Sequence, residues 1–311
     1  MLKKIIPFTV IAVISTFLFY FLKKSSSESK VVAITQIAPH PSLDKIRNGI
    51  IDTLKENKIK IVFENAQGNI ATATQIAQRF VSIRPDIIVA ITTPSAQTVH
   101  AALTFQKIPL VFVAVTDPIE ARLANPDGTN LPYVTGISDA PPYKEQVNQI
   151  RRFLTNNKNT IGIIYNPAEA NSLSQIKQIE KIFNAFNGKV ITSPALSTTI
   201  VSQATSSLIG KVDAIYLPND NTVVSALSSI LEIAKKHAIP VFASDPESVE
   251  QGCTAAVAFN QYAIGQQAGH MIVQLLNGKK TDALPIEQCN KVDEYLNIKT
   301  DSHTVLGPPQ H

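Results

Sequence analysis

From Val31 onward one pattern recurs: a short run of consecutive apolar residues rich in Val, Ile and Phe, a polar turn, then an amphipathic stretch of helical length. The apolar runs fall at 31–37 (VVAITQI), 60–65 (KIVFEN), 86–92 (DIIVAIT) and 109–115 (PLVFVAV). A second series follows at 160–165 (TIGIIY), 190–195 (VITSPA), 213–217 (DAIYL) and 240–244 (PVFAS). Continuous rather than alternating hydrophobicity marks strands covered on both faces, and helices between them make the sheets parallel. The pattern therefore predicts an α/β protein of two doubly wound parallel-sheet lobes. Between the two series, 123–139 (LANPDGTNLPYVTGISD) is dense in turn formers and lacks helical period, so it reads as the passage from one lobe to the other. Later, 254–260 feeds a helix at 261–277, and a short strand at 284–288 follows. These late elements would complete the lobes by crossing back, giving a division into 1–30, 31–135 with 261–284, and 136–260 with 285–311. Crossing segments of this kind form a hinge, with a cleft lined by the carboxyl ends of strands from both sheets.

The first thirty residues break the pattern. After Lys3 and Lys4 an uncharged apolar stretch runs from Ile5 to Leu22, then Lys23, Lys24 and a serine-rich linker. Its length nearly spans a hydrocarbon core at about 1.5 Å per helical residue. It ends in Phe17-Leu18-Phe19-Tyr20-Phe21-Leu22 rather than in the small residues a signal peptidase requires, which favours a retained anchor over a cleaved signal peptide. No cysteine precedes Cys253, so no lipid attaches there. Lysines at both ends leave the orientation unassigned.

Charge narrows the partners. The first thirty residues hold five lysines against one acid, Glu28, and account for the whole formal charge of +4; the body is neutral. With no basic patch and no arginine run interleaved with aromatics, nucleic acid is set aside. Cys253 and Cys289 lack zinc-site spacing and leave open one disulfide or two separate thiols. No metal or cofactor is expected. There is no G-x-G-x-x-G, P-loop, G-x-S-x-G or H-E-x-x-H, so the chain reads as a binder rather than an enzyme. A repressor would need a helix-turn-helix where this chain has its apolar span.

Candidate binding residues lie where strands end. Thr93 reads as an N-cap, Pro94 as the first helical residue, and Ser95 and Ala96 as the start of a helix whose free N–H groups suit a carboxylate, although a well-capped helix explains the same residues. At the matching place in the second lobe, Asn171 and Ser172 can cap or bind, while Glu169 can accept from an ammonium. A buried ammonium needs an anionic partner, which Asp220 (beside Asn221), Asp245 or Asp117 would supply. Gln36 follows the first strand and can reach the cleft; His40, between Pro39 and Pro41, suits a plain loop. Tyr165, Phe259 and Tyr262 offer faces for an aromatic ligand, or simply core packing.

ENAQGN (64–69), ITTPSAQ (91–97), VFVAVTDP (111–118), TGISD (135–139), IGIIYNPAEANS (161–172), VDAIYLPNDN (212–221) and IPVFASDPESVEQG (239–252) together resemble the tryptophan- and tyrosine-binding type of ABC transporter substrate-binding proteins. The resemblance implies the type I periplasmic binding protein fold and an extracytoplasmic importer subunit. It also implies an aromatic amino acid bound by hinge closure, and a permease with its ATPase as partners. A membrane-tethered sensor using the same cleft, or an enzyme on a small polar substrate, is the alternative. The body would be periplasmic or on the cell surface, held by residues 5–22.

Overall fold

The computed structural model describes residues 29–57, 59–154, 158–289 and 292–297; the N-terminal apolar span and the C-terminal tail lie outside them. Among the described residues, no helix is long and apolar enough to cross a membrane.

The first lobe runs β1 (Val31–Gln36), α1 (Pro41–Leu54), β2 (Lys60–Asn65), α2 (Ile70–Ile83), β3 (Ile87–Ile91), α3 (Thr93–Ala102), β4 (Leu110–Val115) and β5 (Val134–Ser138). The chain then supplies α4 (Tyr143–Phe153), β6 (Thr160–Tyr165), α5 (Ala170–Asn184), β7 (Lys189–Pro194), α6 (Thr198–Leu208) and β8 (Ala214–Leu217). It continues through α7 (Asn221–Val224), α8 (Leu227–Lys236), β9 (Val241–Ala243), α9 (Pro246–Gln251) and β10 (Ala255–Phe259). Helix α10 (Gln261–Leu276) returns to the first lobe and packs on α1, and two short strands follow, β11 (Glu287–Gln288) and β12 (Val292–Leu296).

Two six-stranded sheets result, ordered β11-β5-β4-β3-β1-β2 and β12-β10-β9-β8-β6-β7. Every described pairing between these strands is parallel except β12 on β10. Strands β1, β3 and β4 are apolar and buried on both faces, as crossover helices require. In the second sheet Ile161 and Ile163 face α4 and α5, while Ile164 faces the opposite layer with α6 and α8.

The passage expected at 123–139 contains a strand: β5 lies in the first sheet, so the 135/136 division falls inside it. Gly136 is the reason the segment reads as a turn. A Cβ there would stand 2.1 Å from the Phe112 carbonyl oxygen, so close packing against β4 rather than bending accounts for the glycine. Sheet membership changes between β5 and α4, between β10 and α10, and between β11 and β12, giving three crossings side by side. Cys253 is a buried free thiol, so no bridge to Cys289 is made.

Candidate functional site

The strand ends of the two sheets enclose a cleft with two adjoining cavities. An outer one of about 960 Å³ is lined by Ile37, Gln67, Ile70, Pro94, Gln97, Glu169, Leu196 and Thr222, among others. A deep one of about 50 Å³ is lined by His40, Ser42, Thr92, Thr93, Thr116 and Asp139 from the first lobe and its crossing, and by Asn171, Asn219, Asp220, Asn221 and Asp245 from the second. Ala38, Asn221 and Ser225 border both, and no lysine or arginine lines either.

The first-lobe wall is strained where it meets the deep cavity. Thr92, the residue between β3 and α3, has φ 79°, an outlier for a β-branched side chain. Ala114 has φ 55° at a slip in the β4–β5 register between Val113 and Val115, a bulge that turns the strand end at the cavity wall. Thr92 therefore holds the cap position expected of Thr93, without capping through its side chain. Thr93 is the first helical residue and Pro94 the second. Both threonine hydroxyls are buried and have no protein partner.

The second-lobe wall carries carboxylates. Asp220 caps α7, its Oδ1 accepting from Val223 N at 2.9 Å while Oδ2 accepts from Asn166 N at 2.5 Å and Ser172 lies against it. Burial, then the neighbouring Glu169 charge, raise its pKa to about 7. Asp139, at the crossing, is pushed up to about 6 by burial although Thr116 and Asn219 donate to it. Asp245 caps α9 through Ser248 N at 2.8 Å. Asn171 donates its amide hydrogens to Glu169 Oε2 and the Asn219 carbonyl, which leaves its Oδ1, buried and without a partner, as an acceptor. Among the described residues no cluster of His, Cys, Asp or Glu is arranged to hold a metal ion.

The structure thus brings Thr93, Asn171, Asp220, Asn221 and Asp245 together on one cavity, with Ser172 against Asp220. Other expected residues sit elsewhere. Glu169 Oε1 accepts from Thr222 N and Oγ1, and its Oε2 from Asn221 N, Asn221 Nδ2 and Asn171 Nδ2; this filled carboxylate organises the start of α7 and has no acceptor left for an ammonium. Neither Asn171 nor Ser172 caps α5, because the cap position is Glu169. Gln36 is turned into its own lobe, donating to the Ala38 carbonyl and Asp44 and accepting from Arg47. Ala96 is core, and Ser95 is buried with its hydroxyl unpaired but lies off both cavities. Tyr165 packs on the second-lobe core, Phe259 on the first-lobe core, and Tyr262 donates to Asp52 on the surface, so none of the three forms an aromatic wall.

Asp117 belongs to a different arrangement. Its Oδ1 accepts from Ile119 N and Glu120 N, and its Oδ2 from Ser174 of the second lobe at 2.9 Å, with Lys177 and Glu120 paired beside it at 3.2 Å. Across the cleft Ser42 Oγ lies 2.8 Å from Asp245 Oδ1 and 2.7 Å from Glu247 Oε2, and Lys45 pairs with Glu247 at 2.9 Å. The lobes are therefore tied to each other through both α1 and the turn after β4. Sequence reading missed Thr92, Ser42, Asp139 and Asn219; their position after strand ends was the available signal.

Comparison with known proteins gives this geometry a lineage. Residues 31–304 match the family described as ABC transporter substrate binding protein. The chain is 34% identical over 288 residues to a tyrosine-binding protein of Clostridioides difficile, covering 89% of this chain and 81% of that one. The structure of an ABC domain in complex with L-Trp from Streptococcus pneumonia is 32% identical, with a TM-score of 0.81 over 85% of this chain and 91% of the other. A ligand-free, open substrate-binding protein with adhesive properties from Clostridium difficile is 33% identical over 86% and 92%, with a TM-score of 0.64. Two parallel-sheet lobes joined by three crossings, a polar cavity between them and a match over nearly the whole body agree: the chain belongs to the ABC transporter substrate-binding protein family, with the type I periplasmic binding protein fold.

Proposed function

We propose that this chain is the extracytoplasmic substrate-binding subunit of an ABC importer and holds an aromatic amino acid between its lobes. The observation that carries the reading is the polarity of the deep cavity. Its first-lobe wall offers the unpaired hydroxyls of Thr92 and Thr93 at the start of α3, and its second-lobe wall offers Asp220 and the unpaired Asn171 Oδ1. A helix start with free donors suits a carboxylate, and a buried carboxylate without a cation suits an ammonium. About 50 Å³ suffices for that head group alone, so the side chain extends into the outer cavity beside Ile37, Pro94 and Leu196. The aromatic class comes from the relatives, one named for tyrosine and one bound to L-Trp.

Hinge closure is part of the proposal. At nearly equal identity and coverage, this conformation is closer to the L-Trp complex than to the ligand-free open structure, with TM-scores of 0.81 and 0.64. Ligand stabilises such a form because both walls touch it only there. The closed form then docks on a permease driven by its ATPase, while residues 5–22 tether the chain to the membrane. Thermal-shift and calorimetric titration of the 31–311 body with L-tyrosine, L-tryptophan and L-phenylalanine test the assignment: at least one raises the melting temperature, and the rise continues with the logarithm of its concentration above the dissociation constant. Failure of all three to bind removes it.

A further inference from the structure

His40 follows β1 as one residue of an otherwise plain proline-flanked turn, yet it lines the deep cavity and is only 7% exposed. Its backbone is extended (φ −148°, ψ 139°), as the following Pro41 demands, and its ring caps α1: Nδ1 accepts from Ser42 N at 3.3 Å. An imidazole whose Nδ1 accepts carries its proton on Nε2. That Nε2 is buried and has no protein partner. A buried N–H donor without an acceptor is costly, and its cost is relieved when an acceptor is brought to it. The capping bond fixes the ring, so the donor is set in place before any ligand arrives.

The neighbours define which acceptor. Thr92 and Thr93, the other unpaired groups of the first-lobe wall, can donate alongside it; Asp220, Asp245 and Asn171 Oδ1 on the facing wall are acceptors, and Asp139 at the crossing already accepts from Thr116 and Asn219. A ligand atom that His40 can serve is therefore an acceptor on the first-lobe side, and a carboxylate oxygen gains more from it than a neutral carbonyl does. We infer that His40 is a specificity-determining residue: its Nε2–H reads the α-carboxylate of the bound amino acid and distinguishes it from the uncharged carboxamide. The inference rests on the amino-acid reading of the site. His40 also couples recognition to closure, since Ser42, whose N–H it accepts, carries the hydroxyl that meets Asp245 and Glu247 of the other lobe.

Two substitutions separate the ring's two jobs. His40→Asn keeps an acceptor near Nδ1 for the cap but removes the distal donor; His40→Gln reaches the Nε2 position with an amide N–H but gives up the cap. Calorimetry with L-tryptophan and L-tryptophanamide is run on both variants and the wild type, with melting of each ligand-free protein as the fold control. In His40→Asn the affinity for the acid falls about ten- to a hundred-fold, the loss of one hydrogen bond to a charged group, while that for the amide, whose carbonyl is the weaker acceptor, falls by about tenfold or less, so the preference for acid over amide narrows and the melting temperature holds. In His40→Gln the preference for acid over amide persists within a few-fold, while melting drops by about 2–4 °C for the lost cap. A wild-type ratio in His40→Asn overturns this inference and leaves the site assignment standing. Wild-type protein that binds none of L-tyrosine, L-tryptophan and L-phenylalanine overturns both.

Discussion

Asp220 meets two demands that pull its proton in opposite directions. Burial and Glu169 raise its pKa to about 7, and Asp139 is raised to about 6. A carboxyl whose folded pKa exceeds its unfolded value binds protons more tightly when folded. Its contribution to stability is therefore fully present below the unfolded pKa near 4 and is lost as pH rises through the folded value. Ligand-free protein is thus expected to melt higher at pH 5.5 than at pH 8, by up to about 1.4 kcal/mol per pH unit for each group in its titration window. Binding runs the other way, because an ammonium wants the ionised Asp220: affinity for L-tyrosine should fall by up to about tenfold per unit below pH 7. Asp220→Asn keeps an oxygen for Val223 N, and should cost on the order of a hundred-fold in affinity while flattening the pH profile. Calorimetry from pH 5.5 to 8 checks this, and a profile alike in both proteins removes Asp220 from ammonium recognition. Residues such as Asp220, Asn171 and Thr93 were legible because polar groups just after parallel strands face the cleft. Gln36 and Glu169 carry the same signal, yet both are consumed by neighbours distant in sequence, Arg47 for one and Thr222 for the other, which no local pattern reveals.

At the scale of elements, the contact of α10 with α1 joins the segment returning from the second lobe to the wall that carries His40 and Ser42. Its closeness depends on glycine. A Cβ on Gly265 would stand 2.0 Å from the Ile46 carbonyl oxygen, and one on Gly49 would stand 2.3 Å from that of Tyr262. Backbone cannot yield as a flexible side chain does, so Gly265→Ala must push the helices apart and is expected to cost about 1–3 kcal/mol. A shift of the urea midpoint measures it, and an unchanged midpoint means the helices separate freely. The amphipathic period of 261–277 disclosed this helix but not its partner, since glycine adds nothing to a hydrophobic pattern. The same limit hid β5, whose Gly136 looks like a turn. β12 escaped for a different reason: VDEYL is a half-exposed antiparallel edge strand, unlike the continuous apolar runs of the parallel core. The other core strands with unbroken apolar runs, such as β1, β3, β4, β6 and β8, were legible because consecutive apolar residues mark strands covered on both faces, whereas β5, equally buried, was not.

At the scale of the whole molecule, the proposed hinge closure makes the interlobe ties the elements that would decide how long a ligand stays. Lys45 is 44% exposed, so its pairing with Glu247 is worth little in water, whereas Ser42, Asp245 and Glu247 meet where all three are buried. The Ser42 hydroxyl has one proton, shared between Asp245 and Glu247, and can give it to them only while the lobes are together, so in the proposed cycle the contact belongs to the closed state alone. Interactions present only after closure slow opening and leave encounter unchanged. Ser42→Ala should therefore raise the dissociation rate of L-tyrosine by about three- to thirty-fold with little change in the association rate, whereas Lys45→Ala should change either by less than about threefold. Stopped-flow fluorescence separates the two rates, and small-angle scattering supplies the accompanying shape: saturating L-tyrosine contracts the wild type, and the Ser42→Ala protein contracts less completely. If Ser42→Ala slowed association instead, the tie would form before the ligand is enclosed. The lobes would then close first and admit the ligand afterwards, reversing the order in which the two walls of the cavity come to touch it.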